Sequence, residues 1–175
     1  MSHDVPVAGS RSSLLVKANP HAREIVKVTP QSAGWTHVGF EAFRLGAGES
    51  IEIALPRDRE GCLVLLIGRA EVDVDSRHFG TLGGRASVFA ERSPDAVYAP
   101  PGSHYTIRAL EPVELALASA PAQGQHPARL IASASMKRSV RGKGANTRYI
   151  CDILPETEPA ESLLVVEVVT PAAHS

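Results

Sequence analysis

Seven histidines, two cysteines and one dense basic run carry most of the chemical potential of this sequence. Neutral imidazole is a common ligand for first-row metals, so the histidine spacing comes first. No His-x-His or His-x3-His pair occurs. His3, His21 and His174 lie near the chain ends, and His37 and His78 stand alone, so structural or solvated roles are the simpler reading. His104 differs. It follows Pro100-Pro101-Gly102 and leads into a strand-like run, a position at which β-barrel metal enzymes place a ligand.

The nucleophile candidates have weak surroundings. Cys62 opens an apolar run, where a thiol behaves as a small hydrophobe. Cys151 has Asp152 beside it and no histidine near in sequence. Ser87 and Ser119 lack a Gly-x-Ser-x-Gly context. The basic run is the most distinctive local composition: Arg138-Ser139-Val140-Arg141-Gly142-Lys143-Gly144-Ala145-Asn146-Thr147-Arg148. It places Gly142-Lys143-Gly144 where a phosphate-binding loop requires Gly-Lys-Ser or Gly-Lys-Thr. Three readings stay open: an anion or carboxylate patch built on Arg141, Lys143 and Arg148, a weak nucleic-acid contact, or a solvated linker. Eight aromatic residues in 175 argue against a base-stacking surface.

The elements that must position these groups are short and apolar. Residues 50–55 alternate, with Ile51, Ile53 and Leu55 on one face. Residues 69–75 put Ala70, Val72 and Val74 inward and their charged neighbours outward. The run Cys62-Leu63-Val64-Leu65-Leu66-Ile67 is apolar on both faces, so it belongs in the middle of a sheet. Tyr105, Ile107 and Ala109, then Val113, Leu115 and Leu117, continue the pattern. The expected core is Ile51, Ile53, Leu63, Leu65, Val72, Val74, Val88, Tyr105, Ile107, Leu115 and Leu117. Glycines and prolines punctuate these runs, and no segment before residue 130 shows a 3.6-residue period, so the region is all-β. A short helix is expected over 132–138, then strands over 149–154 and 162–170. The valine-rich last strand either returns to the first sheet or opens a second domain.

Composition bounds the function. A 43% hydrophobic content fills a core, and a net charge of −1 gives no global pull toward nucleic acid or an anionic membrane. The longest apolar run is far shorter than the ~20 residues of a membrane-spanning helix. The N-terminus shows no apolar signal segment, and two cysteines make no disulfide framework, so a cytoplasmic protein with reduced thiols is expected.

Four stretches carry a resemblance to a known family. They are Val28-Thr29-Pro30-Gln31-Ser32-Ala33-Gly34-Trp35-Thr36-His37-Val38-Gly39-Phe40, Cys62-Leu63-Val64-Leu65-Leu66, Arg141-Gly142-Lys143-Gly144-Ala145-Asn146-Thr147-Arg148-Tyr149, and Ile153-Leu154-Pro155-Glu156-Thr157-Glu158-Pro159-Ala160-Glu161-Ser162-Leu163-Leu164-Val165-Val166-Glu167-Val168. In order and spacing the chain resembles the N-terminal half of the 5-deoxy-glucuronate isomerase family of myo-inositol catabolism, two-cupin proteins related to the uronate ketol-isomerases. The resemblance implies an antiparallel jelly-roll barrel of the cupin type, the first half of a bicupin. It divides the chain into an N-terminal arm with the first strands (1–34), a cupin barrel (35–127), a basic interdomain crossover (128–160) and the first strand of a truncated second cupin (161–175).

The general cupin pattern tests the metal question residue by residue. Counted from Gly48, its two histidine places fall on Ala54 and Pro56, its glutamate place on Glu60, and Gly68 lies one residue late. In its second motif Pro100-Pro101-Gly102 fits, but Tyr105 stands at the histidine place and Ala109 at the asparagine place. His104 is one residue off, and adjacent strand residues face opposite sides. The resemblance therefore implies no metal ligands and no catalytic residues in this chain, with a divalent transition metal in the second cupin. It also implies a sugar-acid substrate, no nucleic-acid or membrane partner, and a possible homo-oligomer. The alternative is a metal-free cupin acting as a small-molecule-binding or oligomerisation module.

Overall fold

The computed structural model describes residues 15–171. The strands among them run, in chain order, β1 (Glu24–Val28), β2 (Gly39–Leu45), β3 (Ser50–Ala54), β4 (Arg59–Val74), β5 (Arg77–Arg85), β6 (Ala96–Ala99), β7 (His104–Ala109), β8 (Val113–Pro121), β9 (Arg129–Ile131), β10 (Lys137–Arg141), β11 (Arg148–Leu154) and β12 (Val165–Val169). All pairings are antiparallel. A single helical turn, α1 (Pro30–Ala33), links β1 to β2. Thr29 caps it by accepting from the Ser32 N–H, Ser32 reciprocates to the Thr29 N–H, and Gly34 ends it in the left-handed region.

Strand β4 organises the molecule. Its first part pairs with β8 and β6, completing a layer ordered β1-β2-β8-β4-β6-β9. Its second part pairs with β7 and β5, and β3 extends that second layer through β7. The switch happens at Gly68, where register shifts flank a positive φ of 78°. A Cβ there would stand 2.2 Å from the Pro112 carbonyl oxygen, so only glycine fits. The same bulge reverses the inward parity, from Leu63 and Leu65 to Ala70, Val72 and Val74.

Between the layers lies one core of Phe43, Leu45, Leu63, Leu65, Val72, Val74, Tyr105, Ile107, Leu115 and Leu117, all buried. Ten of the eleven expected core residues pack in or against it. Val88 does not: it is half-buried in the turn after β5, whose conformation Ser87 holds by accepting from the Phe89 N–H. The outer strands of the two layers do not pair among the described residues. The all-β antiparallel architecture is thus an open sandwich rather than a closed barrel.

A second sheet, ordered β10-β11-β12, covers the outer face of the first layer. Cys62, Val64, Ala96 and Tyr98 from that face pack with Cys151, Ile153, Leu154 and Leu163. Both faces of the 62–67 run are therefore buried, one against each core. The helix expected over 132–138 is instead a 3-10 turn at Ser133–Ser135 followed by β10, whose five residues all pair with β11. Tertiary pairing overrides a weak local preference there. The last strand pairs with β11, not with the first layer.

Candidate functional site

The residues at the four cupin ligand places do not converge on one point. Tyr105 lies in the interior, with its hydroxyl 2.9 Å from the Val97 carbonyl and 3.1 Å from that of Gly61. His104, its neighbour on β7, is exposed and faces Asp75, whose carboxylate accepts from the His104 backbone N–H. Ala54 and Pro56 are exposed. Glu60 is completely buried, but on the other face of β4, away from the interior. Its Oε1 accepts from the N–H groups of Ser162 and Leu163, both at 2.7 Å. Its Oε2 accepts from the Tyr98 hydroxyl at 2.7 Å and the Glu161 N–H at 3.1 Å.

Four donors use up the acceptor sites of one carboxylate. Glu60 is a clamp on the turn before β12, and the residues at these places do not fit a divalent metal. No three His, Cys, Asp or Glu side chains converge to hold one among the described residues. His3 and His174 lie outside those residues.

The thiols are equally engaged. Burial pushes the Cys62 thiol up to about 12, and burial likewise raises that of Cys151, which donates to the Ser93 hydroxyl at 3.3 Å. Protonated thiols are poor nucleophiles. Burial, then the bond to Glu60, also raises the Tyr98 phenol above its ordinary value.

The second sheet is locked to the sandwich by polar side chains that sequence reading passed over. Arg85, almost fully buried, forms a two-pronged ion pair with Glu167 of β12 and also donates to the Leu66 carbonyl. Asp95 accepts from the N–H groups of Gly83 and Ser133, tying the loop after β9 to β5. Glu161 accepts from Gln125, Gln123 and Gly124 N–H groups, and these bonds hold its carboxyl below the usual range. One signal was legible: an acid inside Val165-Val166-Glu167-Val168-Val169 needs a buried partner.

The basic trio sits at the tip of the β10–β11 hairpin. Arg141 and Arg148 are directly paired across the two strands, so their side chains share the face turned away from the sandwich. Lys143 stands in the connecting turn, beside the 3-10 segment Gly144–Asn146. All three are exposed. Arg141 also lines a cleft of about 710 Å3 floored by Ile150, Val166 and Val168 and edged by Asp152, Glu156 and Glu158. Lys143 and Arg148 do not line it. Like charges directly opposite one another repel, and an anion between them relieves that cost. The arrangement is chemically suited to a carboxylate.

No helix among the described residues is long and apolar enough to cross a membrane. The chain is 44% identical over 150 residues to a 5-deoxy-glucuronate isomerase of Geobacillus thermodenitrificans, covering 86% of this chain and 54% of that one. It is 32% identical over 169 residues to a protein of the same name from Bacillus subtilis, covering 93% and 62%. It thus spans about half the length of the curated relatives it matches. A crystal structure of an IolB-like protein from Salmonella typhimurium LT2 superposes with a TM-score of 0.86 at 41% identity, over 92% of this chain and 61% of that one. With residues 14–175 matching its family pattern, the chain belongs to the KduI/IolB family.

Proposed function

We propose that this chain contributes the metal-free half of an isomerase that interconverts 5-deoxy-D-glucuronate and 2-deoxy-5-keto-D-gluconate. The observation that carries the reading is the 44% identity with a protein of that name across 86% of the chain. Such an aldose–ketose isomerisation moves a proton between adjacent carbons and needs a base and an electrophile. Neither is assembled among the described residues, and the divalent metal belongs with the second cupin of the full-length enzyme. The part played here is binding. Arg141, with Lys143 and Arg148 beside it, holds the substrate carboxylate at the edge of the cleft over β11 and β12. Those side chains then fix the sugar acid's orientation relative to the other half. The same reading puts the enzyme in cytoplasmic myo-inositol degradation, with residues 35–127 as its first cupin, 128–160 as the crossover and 161–175 as the first strand of the next.

The test is steady-state kinetics of residues 1–175 joined to the remaining length of the Geobacillus thermodenitrificans relative. Replacing both Arg141 and Arg148 by Ala raises KM for 5-deoxy-D-glucuronate by about tenfold or more, consistent with ~1.5–3 kcal/mol for a charge-assisted contact. An unchanged KM refutes the carboxylate assignment.

A further inference from the structure

The stretch from Val28 to Phe40 has no part in the carboxylate reading above, yet it walls a cleft of its own. Val28, Thr29, Gln31, Thr36 and Gly39 from this segment line a cleft of about 290 Å3. Its opposite wall comes from β4, β8 and the turn before β4, where Arg59, Asp58 and Ser119 face in above an apolar floor of Ile53, Leu55 and Leu117. The volume lies at the small end of ligand clefts, roughly 300–1,000 Å3, so a small molecule is the matching occupant.

Arg59 is held in place before any ligand arrives. Its Nε donates to Ser119 Oγ at 3.2 Å, and its Nη2 donates to the carbonyls of Ser119 at 2.8 Å and His37 at 2.5 Å. Among the described residues Nη1 makes no hydrogen bond, and Arg59 lines the cleft. Gly39 makes room for this arrangement: a Cβ there would lie 2.6 Å from Ser119 Oγ and 3.4 Å from Arg59 Nη2. A guanidinium fixed by the protein loses little freedom on binding and favours a planar oxyanion. Two carboxylates, Asp58 and Glu41, share the lining, and Lys27 neutralises Glu41 at 3.1 Å. Carboxylates accept only, so they select hydroxyl donors.

We propose that this cleft is a binding site for a small polyhydroxylated carboxylate, with Arg59 taking the acid group and Asp58 and Glu41 the hydroxyls. The site is separate from the cleft over the second sheet and does not depend on the isomerase reading. Ser119 is a positioning residue: it aims Arg59.

The experiment uses fluorescence of Trp35, the chain's single tryptophan, which is half exposed one residue before the lining residue Thr36. The 175-residue chain is titrated with D-glucuronate, D-glucose and acetate. Saturable quenching by D-glucuronate is expected, with glucose and acetate at least about tenfold weaker, since one lacks the acid and the other the hydroxyls. Arg59→Ala should weaken D-glucuronate binding by about tenfold or more, and Ser119→Ala by a smaller factor. Circular dichroism melting establishes that each variant folds, and Ser119→Ala decides the matter if Arg59→Ala does not. Absence of saturable D-glucuronate binding overturns the proposal. So does acetate binding as tightly as D-glucuronate, or a folded Ser119→Ala variant that binds like the parent chain. Quenching at Trp35 reads this cleft, whereas KM of the joined enzyme reads Arg141, so failure here is distinguishable from failure of the isomerase reading.

Discussion

Arg85 and Glu167, eighty-two positions apart, meet through two parallel contacts, Nη1 to Oε2 at 2.9 Å and Nη2 to Oε1 at 2.8 Å. The Arg85 side chain is 1% exposed and that of Glu167 19%, so the pair is shielded from water. It joins the end of β5 to the middle of β12 and thereby fixes the second sheet on the sandwich. Removing one partner of such a pair leaves the other charge buried, which costs about 3–5 kcal/mol. Glu167→Ala should lower unfolding stability by that order in urea titration. A change below about 0.5 kcal/mol would mean that apolar packing alone holds the sheet.

Glu60 makes the second tie, and its replacement has a local signature. Glu60→Gln keeps the shape but turns an amide donor toward backbone N–H groups that also donate. The expected loss is about 1.5–3 kcal/mol, the value of hydrogen bonds to a charged group. Hydrogen exchange at Ser162 and Leu163 should quicken more than at residues of β8. Uniform acceleration across the chain would contradict a local clamp.

Glu161 sets a pH dependence with a definite sign. Three backbone N–H groups hold its carboxyl below the ordinary value of 4.5. The unfolded chain therefore takes up a proton at a higher pH than the folded one. The contribution is present in full above 4.5 and is lost as pH falls through the lowered folded value. The stability difference between the parent chain and Glu161→Gln, followed by thermal melting, should shrink from about pH 6 to about pH 3. A difference that stays constant over that interval would show that the carboxylate charge is not what the three amides bind.

Much of the sandwich was legible because burial on one side of a strand leaves a period-two mark, as in Ala70, Val72 and Val74. The two-faced run at 62–67 announced a central strand for the same reason. The tyrosine at the histidine place, and His104 turned outward beside it, followed from the same alternation. Glu60 was legible by count alone, and the count misled. Its parity puts it with Cys62 and Val64 against the second sheet, and its partners lie about a hundred residues away in sequence. Lys137 and Arg138 read as a helix end because the residues that make them a strand belong to β11. Long-range hydrogen bonds leave no local pattern. The cleft around Arg59 was hidden likewise, since its anchors, His37 and Ser119, come from opposite ends of the sandwich sequence.

The central proposal is that this chain contributes one half of a metal-dependent isomerase, no metal-holding cluster being assembled among the described residues. Elemental analysis of the purified 175-residue chain, paired with an assay for the keto product from 5-deoxy-D-glucuronate, tests it most directly. The expected result is no stoichiometric transition metal and no turnover, with both appearing when the chain is joined to the remaining length of its Geobacillus thermodenitrificans relative. One tightly bound metal per chain together with turnover by residues 1–175 alone would contradict it.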